Sequence, residues 1–152
     1  MIQVTNLTKN YNDVEAVKSI DFTINHGEVV GFLGANGAGK STTLKILTGY
    51  LAPTSGEVLI DGLNIEEYSH DLKKIVGYLP ESNPLYLEMH VYELLKFIAN
   101  THNIIEDDFK KSLDKVIAQC GLSEVMHKTV GECSKGYKQR VGLACAMIHN
   151  PK

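Results

Sequence analysis

One short stretch, GANGAGKST at residues 34–42, limits what this chain can fold into more than any other feature. It fits the pattern G-x-x-x-x-G-K-[ST], which forms a phosphate-binding loop where a strand precedes it and a helix follows it. The preceding apolar run, VVGFL at residues 29–33, shows no polar alternation and predicts a strand buried on both faces. After the loop, Leu44, Leu47 and Leu51 lie at helical spacing and predict an amphipathic helix. The sequence therefore predicts a strand–loop–helix unit in an α/β protein.

The residue types in this loop suit the binding of phosphate. Glycine at 34, 37 and 39 lets the backbone approach a ligand closely and adopt positive φ, so the N–H groups of residues 36–41 can surround an anion. Lys40 is expected to reach the β- and γ-phosphates, Ser41 to bind Mg²⁺ and Thr42 to support the α-phosphate. We predict a nucleoside-triphosphate site formed by Gly34, Ala35, Asn36, Gly37, Ala38, Gly39, Lys40, Ser41 and Thr42. The loop itself is compatible with an ATPase, a GTPase or a small-molecule kinase, and the lack of an N-K-x-D motif favours ATP.

The composition narrows the class of protein. With 152 residues, 43% of them hydrophobic, the chain is long enough for one domain with a core. A net charge of −3 gives no electrostatic reason to expect nucleic acid as a partner. No apolar run approaches the ~18 residues of a membrane span, and the start of the chain lacks the apolar region of a signal peptide. We therefore expect contact with a membrane only through a partner protein.

Periodic patterns divide the rest of the chain into strands and helices. Apolar residues alternate over residues 2–4 and 20–24 and predict half-buried strands, VLIDG at 58–62 predicts a short strand with an Asp-Gly turn, and IVGYL at 75–79 predicts a second buried strand. Two helices are predicted from apolar residues at helical spacing: Val91, Leu94, Leu95, Ile98 and Ala99 in one, and Phe109, Leu113, Val116, Ile117 and Cys120 in the other, which ends at Gly121.

These motifs together resemble a known family over all 152 residues. The stretch from VTNLTKNY through the phosphate loop to GEVLIDG is similar to the nucleotide-binding subunit of ABC transporters, and GYLPESNPLYLEMHVYELLKFIA resembles the exporter ATPases that include the gliding-motility type. The resemblance implies an α/β fold: a P-loop NTPase (RecA-like) core with an amino-terminal antiparallel β-subdomain and an inserted α-helical subdomain. It also implies that the carboxy-terminal core strands are missing. We expect one partial ATP-binding domain over 1–152, divided into 1–81, 82–132 and 133–152.

The resemblance also assigns roles to residues outside the loop. Tyr11 matches the aromatic residue that stacks on adenine, which needs only the π-face of a ring. Glu81 stands where the family usually has a glutamine that meets Mg²⁺ and the attacking water, so a catalytic and metal-binding role beside Lys40 and Ser41 is expected for it. CSKGYKQR resembles the family's signature L-S-G-G-Q-x-Q-R, which implies that Ser134, Lys135, Gly136 and Tyr137 face nucleotide bound by a second subunit. Lys135 and Tyr137 depart from the usual residues there. The polar turn precedes a predicted helix, for which Ser134 is the expected N-cap residue.

The family further implies partners, a location and a limit on activity. We expect ATP and Mg²⁺ as ligands, a transmembrane permease subunit and a second ATP-binding subunit as partners, and a place on the cytoplasmic face of the membrane. The Walker B aspartate and the catalytic glutamate of the family would follow Lys152, so the chain as given is expected to hydrolyse ATP poorly. A second hypothesis is a nucleotide-binding module that does not hydrolyse ATP, or an ABC ATPase without a transport role.

Overall fold

The computed structural model describes all residues from Met1 to Lys152, in two compact units, Met1–Lys73 and Lys74–Lys152. The first unit is built on an antiparallel sheet in the order β2-β1-β3-β4, with β1 (Ile2–Tyr11), β2 (Val14–Ile24), β3 (Ser55–Ile60) and β4 (Leu63–Asn64). Two helices, α1 (Lys40–Leu47) and α2 (Ser69–Leu72), complete it. The predicted strands at residues 2–4, 20–24 and 58–60 are confirmed, since these residues lie in β1, β2 and β3. Their alternating side chains suit a sheet with one buried face.

The turn between β3 and β4 has the geometry that the Asp-Gly pair predicts. Asp61 and Gly62 have φ of 51° and 80°, so both central residues are left-handed, as in the two-residue hairpin turns that suit the twist of paired strands. Leu63 then pairs with Ile60. The predicted Asp-Gly turn is confirmed.

A bend crosses three strands of the sheet where the backbone leaves its regular geometry. Asn6 in β1 and Ser19 in β2 are left-handed, with φ of 50° and 45°. At Asn6, the pairing of β1 shifts register against both of its neighbours, β2 and β3. The Asn6 N–H donates to a side-chain oxygen of Asp21 in β2 at 2.8 Å instead of to a backbone carbonyl oxygen. Gly56 of β3, with φ of 92°, lies directly against the backbone of Asn6 and Leu7. These are features of a β-bulge, which twists and bends the sheet locally.

Both buried strands predicted from uninterrupted apolar runs are wrong. Residues 29–33 and 75–79 are not strands, and Val29 and Leu33 are 102% and 93% exposed. A strand needs a neighbour that completes its hydrogen-bond ladder. In this chain the four paired strands are β1 to β4, and neither apolar run pairs with any of them.

The helix after the phosphate loop is confirmed, and its predicted buried face is right at Leu47 but wrong at Leu44. Leu44 is 42% exposed, and the buried side chains of the helix are Thr43, Ile46 and Leu47. Thr43 is tolerated inside because its hydroxyl donates to the Gly39 carbonyl oxygen at 3.0 Å. The buried face of α1 therefore includes Thr43 in place of Leu44.

The second unit is helical and has its own apolar core. It contains α3 (Val91–Thr101), α4 (Glu106–Cys120) and α5 (Lys135–Met147), and the first two confirm the predicted helices. Leu94, Leu95, Val116 and Val141 are almost fully buried between them. Gly121 ends α4 with φ of 62°, as expected of a glycine at a helix C-terminus. None of the helices in the chain has the length and apolar composition needed to cross a membrane.

Candidate functional site

The phosphate loop closes around the end of its own lysine. The Lys40 ammonium donates to the carbonyl oxygens of Gly34 and Ala35, both at 2.7 Å. A turn within the loop joins the Ala38 N–H to the Ala35 carbonyl oxygen at 3.2 Å. Because the ammonium lies inside the loop, its charge is already at the place that an anion held by this loop would occupy.

Two of the loop glycines are required by backbone geometry. Gly37 and Gly39 have φ of 83° and 81°, a region that residues with a side chain rarely adopt, whereas Gly34 does not have positive φ. A Cβ on Gly39 would overlap the carbonyl oxygen of Ala16 in β2 and lie 3.1 Å from a methyl group of Val17. A Cβ on Gly37 would meet nothing within 4 Å. Gly39 therefore allows the loop to rest on β2, and Gly37 provides a positive φ at a position with open space around it.

The loop leads directly into the N-terminus of α1. Gly39 is the N-cap residue, and the first turn of the helix contains no acidic side chain to neutralise its positive end. The Ser41 side chain is exposed at this end, while Thr42 is half-buried. Unpaired N–H groups, a helix dipole and a lysine thus converge on the same small region, an arrangement that attracts phosphate.

A cavity of 270 Å³ lies between this loop and β2. Residues of the sheet form one wall and residues of the loop and α1 form the other. Its lining comprises Glu15, Ala16, Val17, Lys18 and Ile20 on one side, and Phe32, Leu33, Gly37, Ala38, Lys40 and Thr43 on the other. The first unit therefore offers a partly apolar recess beside its phosphate loop.

Tyr11, the predicted base-stacking residue, has an accessible ring. It lies at the end of β1, opposite Val14, and is 46% exposed. The Lys9 ammonium is 5.7 Å from the centre of the ring. The exposed part of the ring can contact a flat ligand. The Lys9 ammonium lies close enough to the ring for a cation–π interaction.

The signature turn forms the N-terminus of α5, as the sequence predicts. Ser134 is the N-cap residue, and its hydroxyl oxygen accepts a hydrogen bond from the Tyr137 N–H at 3.3 Å. Ser134, Lys135 and Gly136 are exposed. A Cβ on Gly136 would meet only the Ser134 hydroxyl oxygen, at 4.0 Å, so nothing inside the chain requires glycine there.

Tyr137 is held to the surface of the second unit. Its hydroxyl donates to a Glu124 carboxylate oxygen at 3.4 Å, and the Arg140 guanidinium carbon lies 5.3 Å from the centre of its ring. Both partners belong to the second unit, so these contacts hold the ring against the helices of that unit. The departure from the usual glutamine therefore has a local role in this chain.

The segment that carries Glu81 lies along α5. The Lys152 N–H donates to the Ile75 carbonyl oxygen at 3.0 Å, and the His149 ring nitrogen Nε2 lies 3.2 Å from the Val76 carbonyl oxygen. A Cβ on Gly77 would overlap the Ala146 carbonyl oxygen, so the two backbones are in direct contact. Glu81 itself is exposed. The structure thus places Glu81 and the signature turn in the same unit.

A pair of stacked histidines closes the far end of this packing. The rings of His102 and His149 are parallel within 3°, with centres 4.0 Å apart, and the buried Nδ1 of His149 has no hydrogen-bond partner. Burial lowers the pKa of both imidazoles; the charge of His149 lowers that of His102 further, and the bond to Val76 opposes the effect at His149. Both rings are therefore favoured in the neutral form.

We expect the second unit to lose stability on acidification. The folded pKa values lie below the ordinary 6.5, so the folded state binds fewer protons than the unfolded state once the pH falls below that value. The free energy of unfolding is then fully retained above pH 6.5 and decreases as the pH falls towards the folded pKa values. Urea titrations at several pH values will measure this slope. The double variant His102→Gln, His149→Gln should reduce it, and His127→Gln, at an exposed site, should not; equal slopes in all three proteins would contradict the expectation.

The structure organises the predicted site residues in two groups. The loop residues from Gly34 to Thr42 come together in the first unit, and Glu81 and the signature residues lie in the second. Sequence reasoning missed Ala16, whose carbonyl oxygen supports the loop at Gly39. No local pattern identifies it, since the contact joins distant parts of the chain.

Comparisons with known proteins agree with this geometry. The family profile described as ABC transporter matches residues 17–152. The ABC transporter ATP-binding protein YxlF of Bacillus subtilis is 39% identical over the whole chain, and the bacitracin transport ATP-binding protein BcrA of Bacillus licheniformis is 36% identical. The chain spans about half the length of these relatives, 50% and 49%.

A solved structure shows the same fold. The ATP-binding cassette MJ0796, in a dimeric post-hydrolysis state bound to ADP and Pi, superposes with a TM-score of 0.87 at 26% identity, over 99% of this chain and 71% of that one. The predicted mixed α/β fold with an antiparallel sheet and a helical part is thereby confirmed. Since the family profile matches most of the residues and relatives align along the whole length, the chain belongs to the ABC transporter family.

Proposed function

We propose that this chain is the nucleotide-binding part of an ABC transporter ATPase and binds Mg-ATP at residues 34–42. The observation that carries the proposal is the Lys40 ammonium, held inside the loop at 2.7 Å from two carbonyl oxygens. Triphosphate would exchange these neutral acceptors for charged oxygens, which form stronger hydrogen bonds. Lys40 would then bind the β- and γ-phosphates, and Tyr11 would stack on the base.

The exposed hydroxyl at the start of α1 fits a role in holding Mg²⁺. Mg²⁺ prefers oxygen ligands and is usually bound by one or two protein groups together with the substrate's phosphates. Ser41 presents such an oxygen, since its side chain is exposed in the first turn of α1. When bound, the ion neutralises charge that develops on the phosphates. The catalytic role of Glu81 stays a prediction.

The signature turn supports a role in binding nucleotide held by a second subunit. Glycine at 136 costs about 0.5–1 kcal/mol relative to alanine within a helix, and no contact in the chain explains it. An approaching ligand would use both the space and the unpaired N–H groups of this helix N-terminus. MJ0796, which was solved as a dimer bound to ADP and Pi, supports a dimer for this chain as well.

The transport role rests on the relatives. BcrA is named as a bacitracin transport protein, and the protein YbhF of Escherichia coli, 33% identical, is named as a probable multidrug ABC transporter ATP-binding protein. We propose that ATP binding and hydrolysis here drive export through a membrane-embedded permease. The ATPase would then lie on the cytoplasmic face of the membrane. Co-purification of this protein with a permease encoded by a neighbouring gene, measured with and without ATP, would test this role.

Calorimetric titration with Mg-ATP tests the nucleotide site. Lys40→Ala is expected to weaken binding about 10- to 100-fold, because a hydrogen bond to a charged group is worth roughly 1.5–3 kcal/mol. Lys45→Ala removes an exposed lysine from the same helix and should leave the affinity unchanged. Tyr11→Phe should also bind normally if its ring acts by stacking. Equal affinity for the Lys40→Ala variant and the unaltered protein would overturn the assignment of the loop.

A further inference from the structure

The middle of α5 contains a gap that is filled by a side chain from the Glu81 segment. Gly142 is buried in this helix, where glycine is an unfavourable residue. A Cβ at this position would lie 2.5 Å from the Asn83 Cγ and 2.7 Å from its Oδ1. The Asn83 side chain therefore occupies the space that a side chain at position 142 would need.

A hydrogen bond fixes the amide in this gap. The Asn83 Nδ2 donates to the Lys138 carbonyl oxygen at 2.9 Å, and the contact is partly buried. Lys138 lies one turn before Gly142, and its own N–H donates to the Ser134 carbonyl oxygen at 2.9 Å. Asn83 therefore attaches to the first turns of α5, next to the N-cap residue of the signature turn.

Glu81 lies two positions before Asn83 on the chain, so the bond holds its backbone as well. Val76 contacts His149 just beyond the end of α5 and Gly77 contacts Ala146 near that end, whereas Asn83, two residues from Glu81, contacts the first turns of the helix. We propose that Asn83 is a positioning residue that joins the Glu81 segment to the signature turn, so that the two move as one body. The inference rests on the proposed function, in which both elements take part in ATP hydrolysis.

The Asn83→Asp variant tests the hydrogen bond with little change in shape. A carboxylate cannot donate to the Lys138 carbonyl oxygen, and misplacement of a reacting group by about 1 Å can cost roughly 100-fold in rate. We expect kcat for ATP hydrolysis by the full-length protein to fall at least about tenfold, with KM and ATP affinity within about twofold. Asn100→Asp, which makes the same change at an exposed site on α3, should behave like the unaltered protein. A kcat within about twofold in Asn83→Asp would overturn the proposal.

A double-mutant cycle tests the gap itself. Gly142→Ala should lower kcat because its methyl group displaces Asn83, but it should cause no further loss in the Asn83→Ala background, where the gap is empty. Additive losses in the two variants would overturn the proposal, since independent sites add.

Amide hydrogen exchange separates this inference from the proposed function. In Asn83→Asp, exchange should become faster both in residues 79–85 and in residues 134–142, while Asn100→Asp leaves both unchanged. If the unaltered protein does not hydrolyse ATP, the proposed function has failed, and the exchange result still decides whether Asn83 joins the segments. Faster exchange in only one segment would show that they are not joined.

Discussion

Replacing Gly39 by alanine is expected to weaken Mg-ATP binding about 10- to 100-fold, because a displaced loop would lose hydrogen bonds to charged phosphate oxygens, each worth roughly 1.5–3 kcal/mol. The new Cβ would overlap the Ala16 carbonyl oxygen, which belongs to the backbone of β2 and cannot turn away. The loop would have to lift from the sheet, and the position of Lys40, the next residue, would change with it. The positive φ of 81° adds strain.

Gly27→Ala is the matched control for this experiment. Gly27 has φ of 78°, but a Cβ there would meet nothing within 4 Å. The control therefore carries the same backbone strain, about 1–2 kcal/mol, without the overlap. Calorimetry should show near-normal affinity for Gly27→Ala. If Gly39→Ala also binds normally, contact between the loop and β2 is not needed to shape the site.

The largest expected effect on stability is that of Gly56→Ala, which should lower the free energy of unfolding by roughly 3–5 kcal/mol. A Cβ on Gly56 would overlap the Asn6 carbonyl oxygen and lie 2.6 Å and 2.7 Å from the Asn6 carbonyl carbon and the Leu7 Cα. All three atoms belong to the central strand, so relief requires separation of β1 from β3. Most domains have only about 5–15 kcal/mol of stability in total, so such a loss would leave the first unit largely unfolded on warming.

Gly62→Ala separates the overlap from the backbone strain. Gly62 has φ of 80° in the β3–β4 turn, and a Cβ there meets nothing within 4 Å. Gly62→Ala should lower the free energy of unfolding by only about 1–2 kcal/mol. Urea unfolding followed by far-ultraviolet circular dichroism measures both variants. Equal losses would mean that the close approach of Gly56 to β1 contributes nothing.

Elements whose partners are near in sequence could be predicted. α3 and α4 follow from apolar spacing, the Asp61–Gly62 turn follows from its residue pair, and the cap at Ser134 follows from the polar turn before α5. In each case the energetic reason for the structure lies within a few residues of the pattern.

Features that depend on distant partners could not be predicted. The apolar run at residues 29–33 indicates burial but does not identify a neighbouring strand, and in this structure it has none. The predicted face of α1 is wrong at Leu44 because Thr43 is buried instead, through a hydrogen bond to Gly39 that hydropathy does not reveal. Gly142 was a usable signal, since a glycine inside a helix often marks close packing, but the sequence does not say that Asn83 fills the gap.

The central position of β1 in the sheet has a consequence for the order of folding. β1 pairs with β2 across a short turn, but Ile2 also pairs with Ile60, so the second ladder closes a loop that contains the whole phosphate-binding segment. Contacts between distant residues cost more chain entropy and form more slowly than local ones. The hairpin of β1 and β2 is therefore expected to form early, and the sheet around the nucleotide site late. A ligand that binds only the finished site should slow unfolding and leave the refolding rate unchanged.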